Sequence, residues 1–216
     1  MKHTIIFDLD GTLIDSAPSI VESFEYAFSS LSIVPSKAIT AELIGPPLMH
    51  TLAILAGEHD ALLLQNLATQ FKSHYDCAAY QKATVYHGIQ GLLDKLQQAK
   101  YTLYIATNKR DFPTQKLVQY LNWHHYFNGV FALDSYQPPL ASKALMVAKI
   151  MEDHQIDPAQ AIYIGDRYED GVAADHNQLA FAMVTWGYAD KAVKALQPHW
   201  LVCQHAQDLE QLLMCE

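Results

Sequence analysis

Ten residues near the start of the chain, Thr4-Ile5-Ile6-Phe7-Asp8-Leu9-Asp10-Gly11-Thr12-Leu13, constrain it more than any others. The run before Asp8 is apolar and partly β-branched, the pattern of a buried strand. It stops at two aspartates one residue apart, followed by glycine and threonine. Residues two apart in a strand face the same way, and Gly11 tolerates the turn that follows. Asp8 and Asp10 are therefore expected together at the carboxyl edge of a sheet, where open α/β sheets bind ligands. One carboxylate can attack while the other moves a proton, and both suit a hard divalent cation such as magnesium. Turn capping by the pair stays open at this point, because aspartate is common in turns. A calcium loop does not fit, since it wants glycine at its sixth position and glutamate at its twelfth.

Beyond Asp10 the pattern turns helical. Ser16 is placed to cap a helix with Pro18 in its first turn. Ile20, Val21, Phe24, Phe28 and Leu31 then recur at helical spacing. A short second helix is expected over Ala41–Ile44, a third over Leu48–Ala56 and a long fourth over Ala61–Tyr80. No strand candidate interrupts residues 15–84, so residues 15–85 are expected to form an all-helical insert. From Tyr86 the chain alternates. Strands are expected at Thr102–Ala106, Val130–Leu133, Ala161–Ile164, Ala180–Val184 and, more weakly, Trp200–Cys203. Helices are expected near residues 89–96, 113–121, 142–154, 170–177 and 206–214. This alternation predicts an α/β core, a doubly wound parallel sheet made from residues 1–14 and 86–216.

Three of these strands end in polar residues, and in a parallel sheet those ends share one edge. The first ends in Asp8 and Asp10, another in Thr107-Asn108, and a third in Asp166 with Asp170 four residues on. Phosphoryl transfer suits such an edge. Asp8 would attack phosphorus, Asp10 would move the proton, and Asp166 would add a carboxylate for the metal. Thr107 and nearby backbone amides would hold a phosphate oxygen. A lysine would offset the crowded negative charge. Lys143, at the start of a helix, is the preferred lysine, and Lys109 competes with it. A strand-end role for Thr107 and a helix-cap role for Asp170 are compatible with these assignments.

The 216 residues suffice for a proper core, and half of them are hydrophobic. A formal net charge of -9 and the lack of any basic run disfavour nucleic acid and membrane surfaces as partners. Cys77, Cys203 and Cys215 form no CxxC, which fits a reducing cytoplasm. The apolar run at the N-terminus stops at Asp8, too early for a signal peptide. No apolar stretch approaches the roughly 20 residues that span a bilayer. Eleven histidines are many, yet no HExxH or zinc-finger spacing is present. No GxGxxG or P-loop occurs.

In order and spacing, Asp8-Leu-Asp-Gly-Thr, Thr107-Asn108, Lys143 and Gly165-Asp166 with Asp170 resemble the four motifs of the haloacid dehalogenase-like hydrolase superfamily. The helical insert is similar to that family's type-one cap. Ile44-Gly45-Pro46-Pro47-Leu48 and Val184-Thr185-Trp186-Gly187-Tyr188 resemble the phosphoglycolate phosphatase subgroup. The resemblance implies a magnesium-dependent phosphatase acting on a small phosphate monoester. Asp8 would become an aspartyl phosphate, and Asp10 would be general acid/base with its backbone carbonyl on magnesium. Asp8 and Asp166 would give the metal their side chains, and Asp170 would support that site or Lys143. Gly11, Thr12, Thr107, Asn108 and Lys143 would contact the substrate. Gln137-Pro138-Pro139-Leu140-Ala141 departs from the subgroup by lacking basic or glycine-rich residues. A sugar-phosphate mutase and a non-catalytic binding protein on the same fold are the alternatives. A mutase needs cations that retain a second phosphate, and the insert offers only Lys37, Lys72 and Lys82.

Overall fold

A computed structural model of the chain describes residues 3–57, 60–188 and 197–214. Its centre is a six-stranded sheet of β1 (Thr4–Phe7), β4 (Thr102–Thr107), β5 (Gly129–Ala132), β6 (Ala161–Gly165), β7 (Ala180–Val184) and β8 (Leu201–Cys203). The order is β5-β4-β1-β6-β7-β8, and every pairing is parallel. Period-two alternation divides the strand residues between two apolar layers. Ile5, Phe7, Leu103, Ile105, Ile162 and Ile164 face one layer. Ile6, Tyr104, Ala106 and Tyr163 face the other.

Helices cover both faces. On one, α6 (Lys143–Asp153) and α7 (Tyr168–His176) contribute Met146, Val147, Ile150 and Ala174. The other receives α4 (Ile89–Gln98), α5 (Asp111–Tyr120) and α8 (Ala206–Met214). Helix α4 shows the sequence logic clearly, since Ile89, Leu92, Leu93 and Leu96 form one buried stripe at helical spacing.

Between β1 and β4 lies the helical segment: α1 (Ala17–Ser30), α2 (Leu48–Ala56) and α3 (Ala61–Tyr75). Gly57 ends α2 at a positive φ of 70°, and the Asp60 carboxylate starts α3 by accepting from Leu63 N at 2.7 Å. Phe24 and Phe28 of α1 pack with Leu64, Leu67 and Phe71 of α3, with the Phe24 and Phe71 rings 4.6 Å apart. These side chains belong to the same apolar layer as one face of the sheet.

Three local expectations are corrected. The stretch expected to lack strands begins and ends with a two-stranded antiparallel ribbon of β2 (Ile14–Asp15) and β3 (Thr84–Val85). Two residues per strand are too few to carry an alternation, so nothing in the pattern could announce it. The long fourth helix stops at Tyr75, and a separate 3₁₀ turn follows at Ala79–Lys82. The expected helix at Ala41–Ile44 is one 3₁₀ turn, Ala41–Leu43. No helix among the described residues is long and apolar enough to cross a membrane. Cys77 and Cys203 are free thiols, and Cys215 lies outside the described residues.

Candidate active site

The register of the sheet builds the site. Phe7 pairs with Ile105 on one side and Ile164 on the other. Asp8 therefore emerges level with the ends of β4 and β6, and its N–H still donates to the Ile164 carbonyl at 2.8 Å. Asp8, Asp10, Thr107, Lys143, Asp166 and Asp170 all converge there and are all buried. Gly11 adopts φ +88°, and a Cβ on it would collide with the Asp166 carboxylate. A side chain at Gly165 would likewise strike Asp170. Glycine is thus required beside both aspartates by close approach.

Lys143 sits at the centre of the first cluster. Its Nζ lies 2.8 Å from Asp8 Oδ1 and 2.6 Å from Asp170 Oδ1. Ser142 starts the helix that carries it, accepting from Leu145 N at 3.2 Å. Asp170 also accepts from Arg167 N at 3.0 Å and from the Tyr163 hydroxyl at 3.4 Å, so it caps its helix and holds the lysine at once. Asp166 accepts from Tyr188 N at 2.6 Å and from the Thr12 hydroxyl at 3.5 Å.

Carboxylate oxygens of Asp8, Asp166 and Asp170 lie within 4.8 Å of one another. Three buried carboxylates thus crowd together, and two of them, Asp8 and Asp170, share one ammonium. The consequences follow ordinary electrostatics. Burial, with Asp170 and Asp10 adding repulsion against the pull of Lys143, pushes the Asp8 carboxyl up to about 7. Burial together with Asp170 and Asp8 drives Asp166 well above the carboxylate range. Burial alone would lower Lys143, but Asp170 and Asp8 outweigh it and hold the ammonium well above its ordinary value. A hard divalent cation fits this excess of negative oxygen donors.

The Asp10 side chain belongs to a second cluster. It accepts from Lys109 Nζ at 3.1 and 3.2 Å and from the Ser16 hydroxyl at 2.5 Å. Ser16 was expected to cap α1 with its side chain; instead its hydroxyl turns to Asp10. The start of α1 is served by Tyr188, whose hydroxyl accepts from Ser16 N at 2.8 Å and Ala17 N at 3.0 Å. Lys109, the competitor for the lysine role, is thus the partner of Asp10, while Lys143 serves Asp8. Burial would lower Lys109, yet Asp10 and then Tyr75 push it up to about 12. Lys109 Nζ also lies 4.6 Å from the centroid of the Tyr75 ring in α3.

Thr107 is buried, and its hydroxyl accepts from Lys109 N at 3.2 Å. Asn108 donates from Nδ2 to the Gly45 carbonyl at 3.0 Å, tying the edge of the sheet to the loop before α2. A second tie runs from Arg167, which donates to the Glu42 carbonyl at 3.2 Å and the Tyr188 carbonyl at 3.0 Å. Asp76 and Arg110 form a two-pronged ion pair between the end of α3 and the start of α5. Sequence reasoning missed Ser16 as a partner of Asp10, and it also missed Tyr75, Tyr163 and the backbone of Tyr188. Tyr188 belongs to the segment 184–188, whose resemblance to the phosphoglycolate phosphatase subgroup is the available signal.

The sequence model of the family described as haloacid dehalogenase-like hydrolase matches residues 5–184. A phosphoglycolate phosphatase from Vibrio vulnificus is 28% identical over 97% of this chain and 96% of its own length. A 5'-nucleotidase from Pseudomonas aeruginosa is 27% identical over 97% of this chain and 94% of its own. Tyrosine-protein kinase PtkA of Mycobacterium tuberculosis is 28% identical over 85% of this chain, which spans 62% of that relative's length. A predicted phosphatase from Clostridium acetobutylicum superposes with a TM-score of 0.87 at 25% identity, covering all of both chains.

Proposed function

The chain belongs to the haloacid dehalogenase-like hydrolase family, and from that premise we propose that it is a magnesium-dependent phosphatase for a small phosphate monoester. The observation that carries the reading is Asp8, a buried carboxylate at a strand end, 2.8 Å from a buried lysine and within reach of two further aspartates. Asp8 attacks phosphorus, the phosphorus–oxygen bond of the ester breaks, and Asp10 gives a proton to the leaving oxygen. Water then attacks the aspartyl phosphate, its proton passes to Asp10, and inorganic phosphate leaves with Asp8 restored. Lys143 fixes Asp8 and Asp170 and offsets charge on the transferring group. Thr107, the Asn108 backbone, Gly11 and Thr12 hold phosphate oxygens. Asp8 and Asp166 side chains with the Asp10 carbonyl would hold the cation, and Asp170 supports them. When bound, magnesium neutralises these carboxylates and withdraws charge from phosphate oxygens.

Residues 15–85 act as a cap that closes over the edge and excludes water during attack. The Asn108–Gly45, Arg167–Glu42 and Arg110–Asp76 contacts, which join this segment to the core, support that reading. The phosphoglycolate phosphatase relatives favour a small substrate, and a cytoplasmic site of action accords with the free thiols Cys77 and Cys203. Hydrolysis is favoured over mutase chemistry because Lys37, Lys72 and Lys82 are exposed, with Lys82 held by Glu22 at 2.6 Å.

Phosphate release from a panel of esters, with and without magnesium, tests this reading. The panel holds phosphoglycolate, pyrophosphate, sugar phosphates, nucleotides and an aryl phosphate. Magnesium-dependent release that vanishes in Asp8→Asn is expected. Release that survives in that variant would refute the assignment of Asp8.

A further inference from the structure

We infer that Lys109 is the positioning residue of the acid/base, holding Asp10 so that Oδ2 is the oxygen that moves the proton. The inference rests on the hydrolysis proposed above and adds a residue to its machinery.

The proposed reaction gives Lys109 no task, yet this lysine is as buried as Lys143. Only 6% of its side chain is exposed, against 7% for Lys143. A lysine ammonium is strongly hydrated, and burying it is costly unless its charge is met. The Asp10 carboxylate meets it, with Nζ 3.1 Å from Oδ1 and 3.2 Å from Oδ2. Lys109 is itself held at both ends. Its N–H donates to Thr107 Oγ1 at 3.2 Å, and its Nζ lies 4.6 Å from the centroid of the Tyr75 ring. The backbone of one residue thus orients the hydroxyl that would take a phosphate oxygen, and its side chain orients the carboxylate that would move the proton.

Counting bonds distinguishes the two oxygens of Asp10. An ionised carboxylate offers about four lone-pair sites, two on each oxygen. Oδ1 accepts from Lys109 and from the Ser16 hydroxyl, which fills it. Oδ2 accepts from Lys109 alone, so one site stays open for a proton. In the first half-reaction a proton on Oδ2 passes to the leaving oxygen as the phosphorus–oxygen bond breaks. In the second, a proton of the attacking water returns to Oδ2. Without Lys109 only Ser16 holds the carboxylate, through Oδ1, and the group can turn about its Cβ–Cγ bond. Proton transfer depends on aim, and a misplacement of about 1 Å can cost about 100-fold.

The experiment is a double-mutant cycle on kcat/KM, with magnesium, using the fastest substrate of the panel. It compares wild type, Lys109→Met, Asp10→Asn and the variant carrying both. Lys109→Met should lose about 30- to 100-fold. In the Asp10→Asn background the same exchange should lose less than about threefold, because a positioning residue then has nothing to aim. Lys109→Gln, which keeps an N–H donor without the charge, serves the same cycle if Lys109→Met does not fold. Losses that multiply in the double variant would overturn the inference, since a lysine that binds phosphate directly or serves only the fold acts independently of Asp10. Wild-type kcat/KM without Lys109 would overturn it too. The aryl phosphate gives a second readout, because a phenolate leaves with little help from an acid. Lys109→Met should cost it at least about tenfold less than an alkyl ester, and equal losses would contradict the assignment. Each of these outcomes leaves the reaction class standing. No hydrolysis of any ester by wild type would overturn the reaction class, and the inference with it.

Discussion

Two buried lysines serve the aspartates of this edge in opposite ways. Lys143 shares its ammonium among an excess of carboxylates, with Asp8 and Asp170 bonded to it and Asp166 close by. Lys109 faces one carboxylate, Asp10, which a serine hydroxyl also holds. The first cluster is electrostatically incomplete and calls for a further cation. The second is balanced and needs none. Their origins differ too. Every member of the first comes from the sheet and its helices, whereas the second includes Ser16, at the start of α1, and meets Tyr75 of α3. The sheet and its flanking helices thus hold Asp8 by themselves, whereas the surroundings of Asp10 also draw on the helical segment.

The largest expected effect separates the two aspartates by step. Asp8→Asn should lose about 10⁴-fold or more in kcat and still fold, measured by phosphate release and circular dichroism. Asp10→Asn should slow the reaction about 10²- to 10⁴-fold while a cation still stabilises the protein. If Asp10→Asn changed only cation affinity, the division of roles between the clusters would break.

Next come the lysines. Lys143→Met strands Asp8 and Asp170 and should destabilise the fold by about 3–5 kcal/mol in urea unfolding. Lys109→Met leaves Asp10 with Ser16 and should cost less, about 1–3 kcal/mol. Equal losses would show that the charge imbalance has no energetic weight.

Cation removal sharpens the same contrast. Magnesium at about 100 times its dissociation constant should add about 2.7 kcal/mol of stability, and Asp166→Asn should abolish most of that gain while Lys109→Met retains it. In chelator, Asp8 is raised to about 7, so folding takes up a proton. That stabilisation is complete below the ordinary carboxylate range and is lost as pH rises through about 7. Wild type should therefore lose more stability than Asp8→Asn between about pH 4 and 7, and identical slopes would contradict the burial argument.

The first cluster was legible because its members stand at the ends of strong patterns, Asp8 and Asp166 after apolar strands and Lys143 and Asp170 at the starts of helices. Apolar strands stop at Asp8, Thr107 and Asp166, and a parallel sheet brings such ends together. Lys143 stood at a helix start and could be placed near the same edge. The second cluster was not legible, because it depends on how the helical segment packs back on the sheet. Tyr75 lies on the apolar stripe of α3, where an aromatic reads as packing, and only folding sets its ring beneath Lys109. Ser16 carries the signature of a helix cap, and the nearby Tyr188 hydroxyl takes that duty while Asp10 takes the serine. The β2–β3 ribbon was hidden for another reason, since four residues hold no period.

The most direct test is a single turnover with an ester radiolabelled in its phosphate, quenched in acid. The account predicts label bound to the protein, lost on treatment with hydroxylamine, mapped by mass spectrometry to the peptide containing Asp8, and absent from Asp8→Asn. Release of labelled phosphate with none ever bound to the protein, or label on another residue, would contradict it.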